Sequence, residues 1–125
     1  MRILVVEDDK NFGRVLTAEL KESGYNVELA VDGVDGVLKF IDGRQDFVLL
    51  DIQMPRLDGI NALRIMKKLF PEVHAITYSG NAGSGEMADA IRAGAIRCLT
   101  KPFEIAQLKA ELKRFEGRKN SGTKA

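Results

Sequence analysis

Along this chain, short apolar runs alternate with longer segments in which apolar residues recur every three or four positions. The runs fall at residues 3–6, 27–30, 47–50, 75–78 and 96–99. Each has strand length and is nearly continuous, as expected of strands covered on both faces. The segments around them have helical period. Phe12, Val15, Leu16, Ala18 and Leu20 make one apolar side, stopped by Ser23 and Gly24. Val34, Val37, Leu38 and Ile41 make a second. Ile60, Leu63, Met66 and Phe70 make a third, widened by Ile65 and Leu69 and ended by Pro71. A fourth spans about 85–93 and stops at Gly94, and a fifth spans about 105–115 with Leu108 and Leu112 on one side. Strand and helix in regular alternation predict an α/β fold, a parallel sheet with helices on both faces. The domain is expected to occupy residues 1–116, leaving 117–125 as a polar tail or linker stub.

Size and composition narrow the class. A chain of 125 residues with 45% hydrophobic content supports one buried core. Lys and Arg (19) nearly cancel Asp and Glu (18), so no global field favours nucleic acid or an anionic membrane. Any charge-based function has to be local. Cys98 is the sole cysteine, which excludes an internal disulfide and a multi-cysteine zinc site. No apolar run reaches the length of a membrane span, and Met1-Arg2 lead straight into a strand-like run, so a cytoplasmic location is expected. Arg118, Lys119 and Lys124 in the tail have no interleaved aromatics and read as solvent-facing charge, not as a nucleic-acid arm.

In an open parallel sheet, ligands bind outside the carboxyl ends of the strands. Four of the five run ends carry polar candidates: Glu7-Asp8-Asp9, Asp51, Ser79-Gly80-Asn81 and Thr100-Lys101-Pro102. Neighbouring strands lie about 4.8 Å apart, so these tips can converge on one pocket. Carboxylates gathered that closely repel by roughly 4 kcal/mol per pair at an effective dielectric near 20, and the crowding needs a cation or a shared proton. Mg²⁺ fits, because it takes one or two carboxylates and completes its shell with water and phosphoryl oxygens. Asp51 can then act as a nucleophile toward phosphorus, forming an acyl phosphate. Lys101 would pair with the phosphoryl oxygens and Ser79 would donate a hydroxyl hydrogen bond. Pro102 biases Lys101 away from helical backbone, which helps to aim it.

The run ILVVEDD, the stretch LLDIQMPRLDG, the Ser79-Gly80 step and AGAIRCLTKPF, in that order over almost the whole chain, resemble the receiver domain of bacterial response regulators. The resemblance implies a flavodoxin-like, doubly wound (βα)5 fold, a five-stranded parallel sheet in strand order 2-1-3-4-5. It implies Asp51 as the phosphorylated residue, Asp8 and Asp51 as direct Mg²⁺ ligands, Glu7 acting through water, and the backbone carbonyl of Gln53 as a further ligand. Ser79 and Lys101 match the family's hydroxyl and lysine positions, and the peptide bond to Pro102 is expected to be cis. The implied donor is a sensor histidine kinase or a histidine phosphotransfer protein. The implied receiver of the signal is a protein target or a fused output domain, with no direct nucleic-acid or membrane contact by this domain. Such a chain catalyses only its own phosphorylation and slow dephosphorylation, so it is not expected to be an enzyme in the ordinary sense.

Gln53 and Asn81 flank the approach of attacking water, and in the family these positions influence how long the phosphate lasts. Neither is a carboxylate, so no general base for hydrolysis is evident. Cys98 departs from the family, which usually carries Tyr or Phe three residues before the lysine. Cysteine cannot copy the inward swing of that ring, so the response is expected mostly in the loop containing Gly80, Gly83 and Gly85. Tyr78 is expected on the opposite side of its strand from Ser79. Asp9 reads as an N-cap or first-turn acid of the helix beginning near Lys10. Asp58-Gly59 reads as a turn and helix start. His74, with no evident nucleophile beside it, reads as neither catalytic nor a phosphodonor. A phosphohydrolase passing through aspartyl phosphate is weakened by Gln53, where its second acid belongs, and a flavin carrier by the three acids after the first strand. A receiver-shaped interaction module that is never phosphorylated remains as the alternative.

Overall fold

The computed structural model describes residues 1–80 and 85–124, with side chains described through residue 117. The chain alternates β1 (Arg2–Val6), α1 (Lys10–Glu22), β2 (Asn26–Ala30), α2 (Gly33–Gly43), β3 (Phe47–Asp51), α3 (Gly59–Leu69), β4 (His74–Ser79), α4 (Glu86–Ala93), β5 (Arg97–Thr100) and α5 (Ile105–Lys124). All strand pairs are parallel, in the expected order β2-β1-β3-β4-β5. Each predicted apolar run lies within a strand or overlaps its start, and β3, the central strand, is buried at every position. One face of the sheet carries Leu4, Val6, Val48 and Leu50 against α2, α3 and α4. The other carries Ile3, Val5, Leu49 and Tyr78 against α1 and α5. Alternation along each strand produces these two cores from single apolar runs.

Three helices begin at the carboxyl edge of the sheet with an aspartate N-cap: Asp9 accepts from the Phe12 N–H, Asp32 from Asp35 and Asp58 from Asn61. Each satisfies a donor that the first helical turn leaves unpaired. Asp9 and Asp58 thus take the places expected of them.

The helices differ from expectation in two respects, the residues that face the core and the length of α5. On α2, Val34, Leu38 and Ile41 are exposed, Val37 packs against the core as expected, and the buried residues beside it are Gly33, Gly36 and Phe40. Glycine makes that approach possible: a Cβ on Gly36 would sit 2.9 Å from Val6 Cγ1, and one on Gly33 would sit 2.0 Å from the Leu57 carbonyl oxygen. Hydrophobic periodicity cannot see a contact made by absent side chains. On α1 and α3, Val15, Ala18, Ile65 and Leu69 likewise face outward. The second difference is the length of α5, which continues to Lys124 instead of ending near Phe115. The apolar side ends at Phe115, but once a helix is nucleated each further residue adds a backbone hydrogen bond without needing a core.

The Gly33 contact supports a stability prediction. Gly33→Ala drives a methyl into backbone that cannot rotate away, and it is expected to cost about 1–3 kcal/mol, read as a lowered melting temperature. Gly117→Ala has nothing within 4 Å. It is expected to stabilise by about 0.5–1 kcal/mol through helix propensity.

Candidate functional site

Strand register assembles the site. In β1 and β3, Val6 pairs with Leu50, so the next residues, Glu7 and Asp51, emerge side by side. In β3 and β4, Asp51 pairs with Tyr78, and in β4 and β5, Ser79 pairs with Thr100, which delivers Lys101 to the same edge. The Lys101–Pro102 peptide is cis, as the resemblance implied.

Glu7, Asp8 and Asp51 each offer a carboxylate oxygen, and these oxygens lie within 4.8 Å of one another. Glu7 is 1% and Asp51 6% exposed, while Asp8 is on the rim. Asp9 turns away into its capping role, outside the cluster. Asp51 Oδ1 accepts from the Gln53 N–H at 3.1 Å, and Oδ2 lies 3.2 Å from Lys101 Nζ. Lys101 Nζ also reaches Glu7 Oε1 at 3.2 Å. Glu7 Oε2 accepts from the Asp9 N–H at 3.0 Å.

One ammonium against three carboxylates leaves the cluster with excess negative charge. Burial pushes the Glu7 carboxyl up from its ordinary value, and the charge of Asp51 adds to the effect. Asp8 is also raised, by partial burial and by Glu7 beside it. Burial works against the charge on Lys101, but Asp51 and Glu7 outweigh it and raise its pKa. Compact, hard oxygen donors with a charge deficit of this sign suit a divalent cation such as Mg²⁺. The close approach of α3 supports the Asp51 turn. The Gly59 N–H donates to the Ile52 carbonyl at 2.9 Å, and a Cβ on Gly59 would meet the Asp51 carbonyl oxygen at 2.2 Å.

Ser79 is fully buried on the opposite side of β4 from Tyr78, and its hydroxyl lies 2.5 Å from Glu86 Oε1. Gln53 Nε2 lies 3.5 Å from the other Glu86 oxygen. Glu86 was missed by sequence reasoning. The available signal was its place in the first turn of a helix that starts at the same edge as the four polar tips. Cys98 is buried against α4 among Ala90, Ala93 and Ala95. Asn81 and Gly83 lie outside the described residues. His74 sits at the amino end of β4, away from these groups, with its ring 4.3 Å from that of Phe115.

Tyr78 was read only by its side of the strand. Its ring does lie on the α1 and α5 side, yet its hydroxyl reaches Glu7 Oε1 at 3.0 Å. Burial first, then the nearby acids, hold its pKa well above the ordinary range, so it is a neutral donor. Phe12 and Phe103 flank it, and Lys101 Nζ lies 4.8 Å from the Phe12 centroid and 5.1 Å from that of Tyr78.

Among the described residues no helix is long and apolar enough to cross a membrane. The family model described as response regulator receiver domain matches residues 3–113. The transcriptional regulatory protein DltR of Streptococcus agalactiae is 35% identical over 113 residues, covering 90% of this chain and 50% of that protein. The response regulator MprA of a Mycobacterium species is also 35% identical, over 90% of this chain and 49% of its own length. The chain thus spans about half the length of the curated relatives it matches. Among solved structures, a CheY-like receiver domain from Methanospirillum hungatei is similar with a TM-score of 0.91 and 27% identity, covering 97% of each chain. A CheX–CheY complex with BeF3 and Mg²⁺ from Borrelia burgdorferi is similar with a TM-score of 0.86 and 26% identity, covering 92% of this chain and 88% of that one.

Proposed function

This chain belongs to the response regulator receiver domain family, and on that premise we propose that Asp51 accepts a phosphoryl group from a phosphohistidine partner in a two-component system or phosphorelay. The observation that carries the reading is the placement of Asp51: a buried carboxylate at a strand tip, beside Glu7 and Asp8 and 3.2 Å from Lys101. In the transfer, an Asp51 oxygen forms a bond to phosphorus as the phosphorus–nitrogen bond breaks and its electron pair stays on the imidazole. Later a water oxygen takes phosphorus from Asp51 and restores the carboxylate. Asp8, Asp51 and the Gln53 carbonyl would hold Mg²⁺, with Glu7 acting through water; the ion would screen the carboxylates from the incoming anion. Lys101 pairs with a phosphoryl oxygen, and Ser79 donates its hydroxyl to another.

The donor is a sensor histidine kinase or a histidine phosphotransfer protein. The output is a change in a protein-binding surface, read by a separate target or by a fused domain; the regulatory names of the relatives support this. The test is incubation with Mg²⁺ and acetyl phosphate followed by intact-mass measurement. Uptake of one phosphoryl group is expected, and no uptake would favour the interaction module that is never phosphorylated.

Glu86 bears on the rate. Its carboxylate holds the Ser79 hydroxyl and adds negative charge beside the incoming anion. Glu86→Ala is therefore expected to speed uptake from acetyl phosphate about fivefold, in line with roughly 1 kcal/mol for one partly screened charge. Slower uptake in a mass time course would mean that Glu86 assists the reaction.

A further inference from the structure

We propose that Tyr78 is a positioning residue of this site, whose hydroxyl holds Glu7 so that Lys101 can leave it for the phosphoryl group on Asp51. This rests on the phosphoacceptor reading above. Glu7 is fully enclosed, and its Oε1 has two donors, the Tyr78 hydroxyl at 3.0 Å and Lys101 Nζ at 3.2 Å. Lys101 is shared, because it also lies 3.2 Å from Asp51 Oδ2. Phosphorylation places anionic oxygens next to that ammonium and draws its N–H groups toward them. A buried carboxylate oxygen deprived of its donor is costly, more so than a neutral acceptor. Oε2 keeps the Asp9 N–H, but with Lys101 as the sole donor to Oε1 that oxygen would compete with the phosphoryl group for it. The Tyr78 hydroxyl removes the competition.

The surroundings make Tyr78 a fixed donor. It is 0% exposed, with ring centroids 5.9 Å from Phe12 and 5.3 Å from Phe103, so the phenol has little room to turn. The ammonium of Lys101 stays over the Phe12 and Tyr78 faces, within the range of cation–π attraction. The aromatic slot thus guides the lysine while the hydroxyl releases it.

The experiment measures beryllofluoride binding, as a phosphoryl mimic, at saturating Mg²⁺ in four proteins: wild type, Tyr78→Phe, Glu7→Gln and the double variant. Phenylalanine keeps the ring and removes only the donor. Tyr78→Phe is expected to weaken beryllofluoride binding about tenfold in the wild-type background, as for loss of a hydrogen bond to a charged group. In the Glu7→Gln background the same change should have little effect, because a neutral amide competes weakly for Lys101. Equal losses in the two backgrounds would make Tyr78 an ordinary core residue and overturn the proposal, as would no loss in the first. Should Tyr78→Phe fail to fold, the wild type alone decides. Its Tyr78 hydroxyl proton is expected to move downfield in the NMR spectrum on beryllofluoride addition, as Glu7 comes to rely on it, and an unmoved resonance overturns the proposal. If wild type binds no beryllofluoride, the phosphoacceptor reading falls and this inference with it; if wild type binds and Tyr78→Phe binds equally, only this inference falls.

Discussion

In Mg²⁺ and acetyl phosphate, Asp51→Asn is expected to take up no phosphoryl group while the wild type is expected to take up one. The substitution keeps the shape of the side chain and the carbonyl oxygen that accepts from the Gln53 N–H. It removes the anionic oxygen that would attack phosphorus, and an amide is a poor nucleophile. The loss is chemical and not structural, because one of three crowded negative charges has been neutralised and Lys101 keeps its bond to Glu7. The melting temperature of the metal-free variant is therefore expected to hold or rise. Of the other acids, Glu7 is buried with both oxygens engaged, which leaves none presented to an incoming phosphorus. Asp8 is more accessible, and it is the acid that a surviving signal would implicate. Phosphoryl uptake by Asp51→Asn, detected by intact mass, would move the acceptor away from Asp51.

The fold was legible because its strands carry a signal that few other elements can imitate. The run at 47–50 is apolar at every position, which marks a strand buried on both faces, and β3 is central. Polar residues at the ends of such runs had to emerge at one edge, which is why the sequence alone groups Glu7, Asp51, Ser79 and Lys101. What stayed hidden depends on geometry between elements. Besides Val37, the inner side of α2 is glycine and one phenylalanine, so the exposed Val34, Leu38 and Ile41 looked like the core. The Tyr78 hydroxyl reaches Glu7 beyond its own strand, along a direction that alternation alone does not give. Glu86 meets Ser79 only because α4 begins beside β4, a placement that chain order leaves open.

Asp8→Asn is expected to have opposite effects on the protein with and without metal. Glu7 and Asp8 both titrate above their ordinary values, chiefly through burial and then through neighbouring acids. In the pH window between the ordinary and the raised values, the native state holds more protons than the unfolded chain. The stability of the metal-free protein therefore falls as pH rises through that window, opposite to the usual behaviour of a carboxylate paired with a cation. Removing the Asp8 charge lowers the repulsion, so the metal-free variant should melt at a higher temperature than wild type at neutral pH and lose less stability across the window. With Mg²⁺ the order reverses. Losing Asp8 as the direct ligand proposed above should weaken binding about a hundredfold, comparable to the upper end of what even outer-sphere partners contribute. At a Mg²⁺ concentration 100 times the wild-type Kd, wild type gains about 2.7 kcal/mol, and a variant with a hundredfold weaker site gains about 0.4 kcal/mol. The melting temperatures of the two proteins plotted against Mg²⁺ concentration should thus cross. Parallel curves would mean that Asp8 does not hold the ion, and curves that coincide at zero Mg²⁺ would mean that it does not crowd the site.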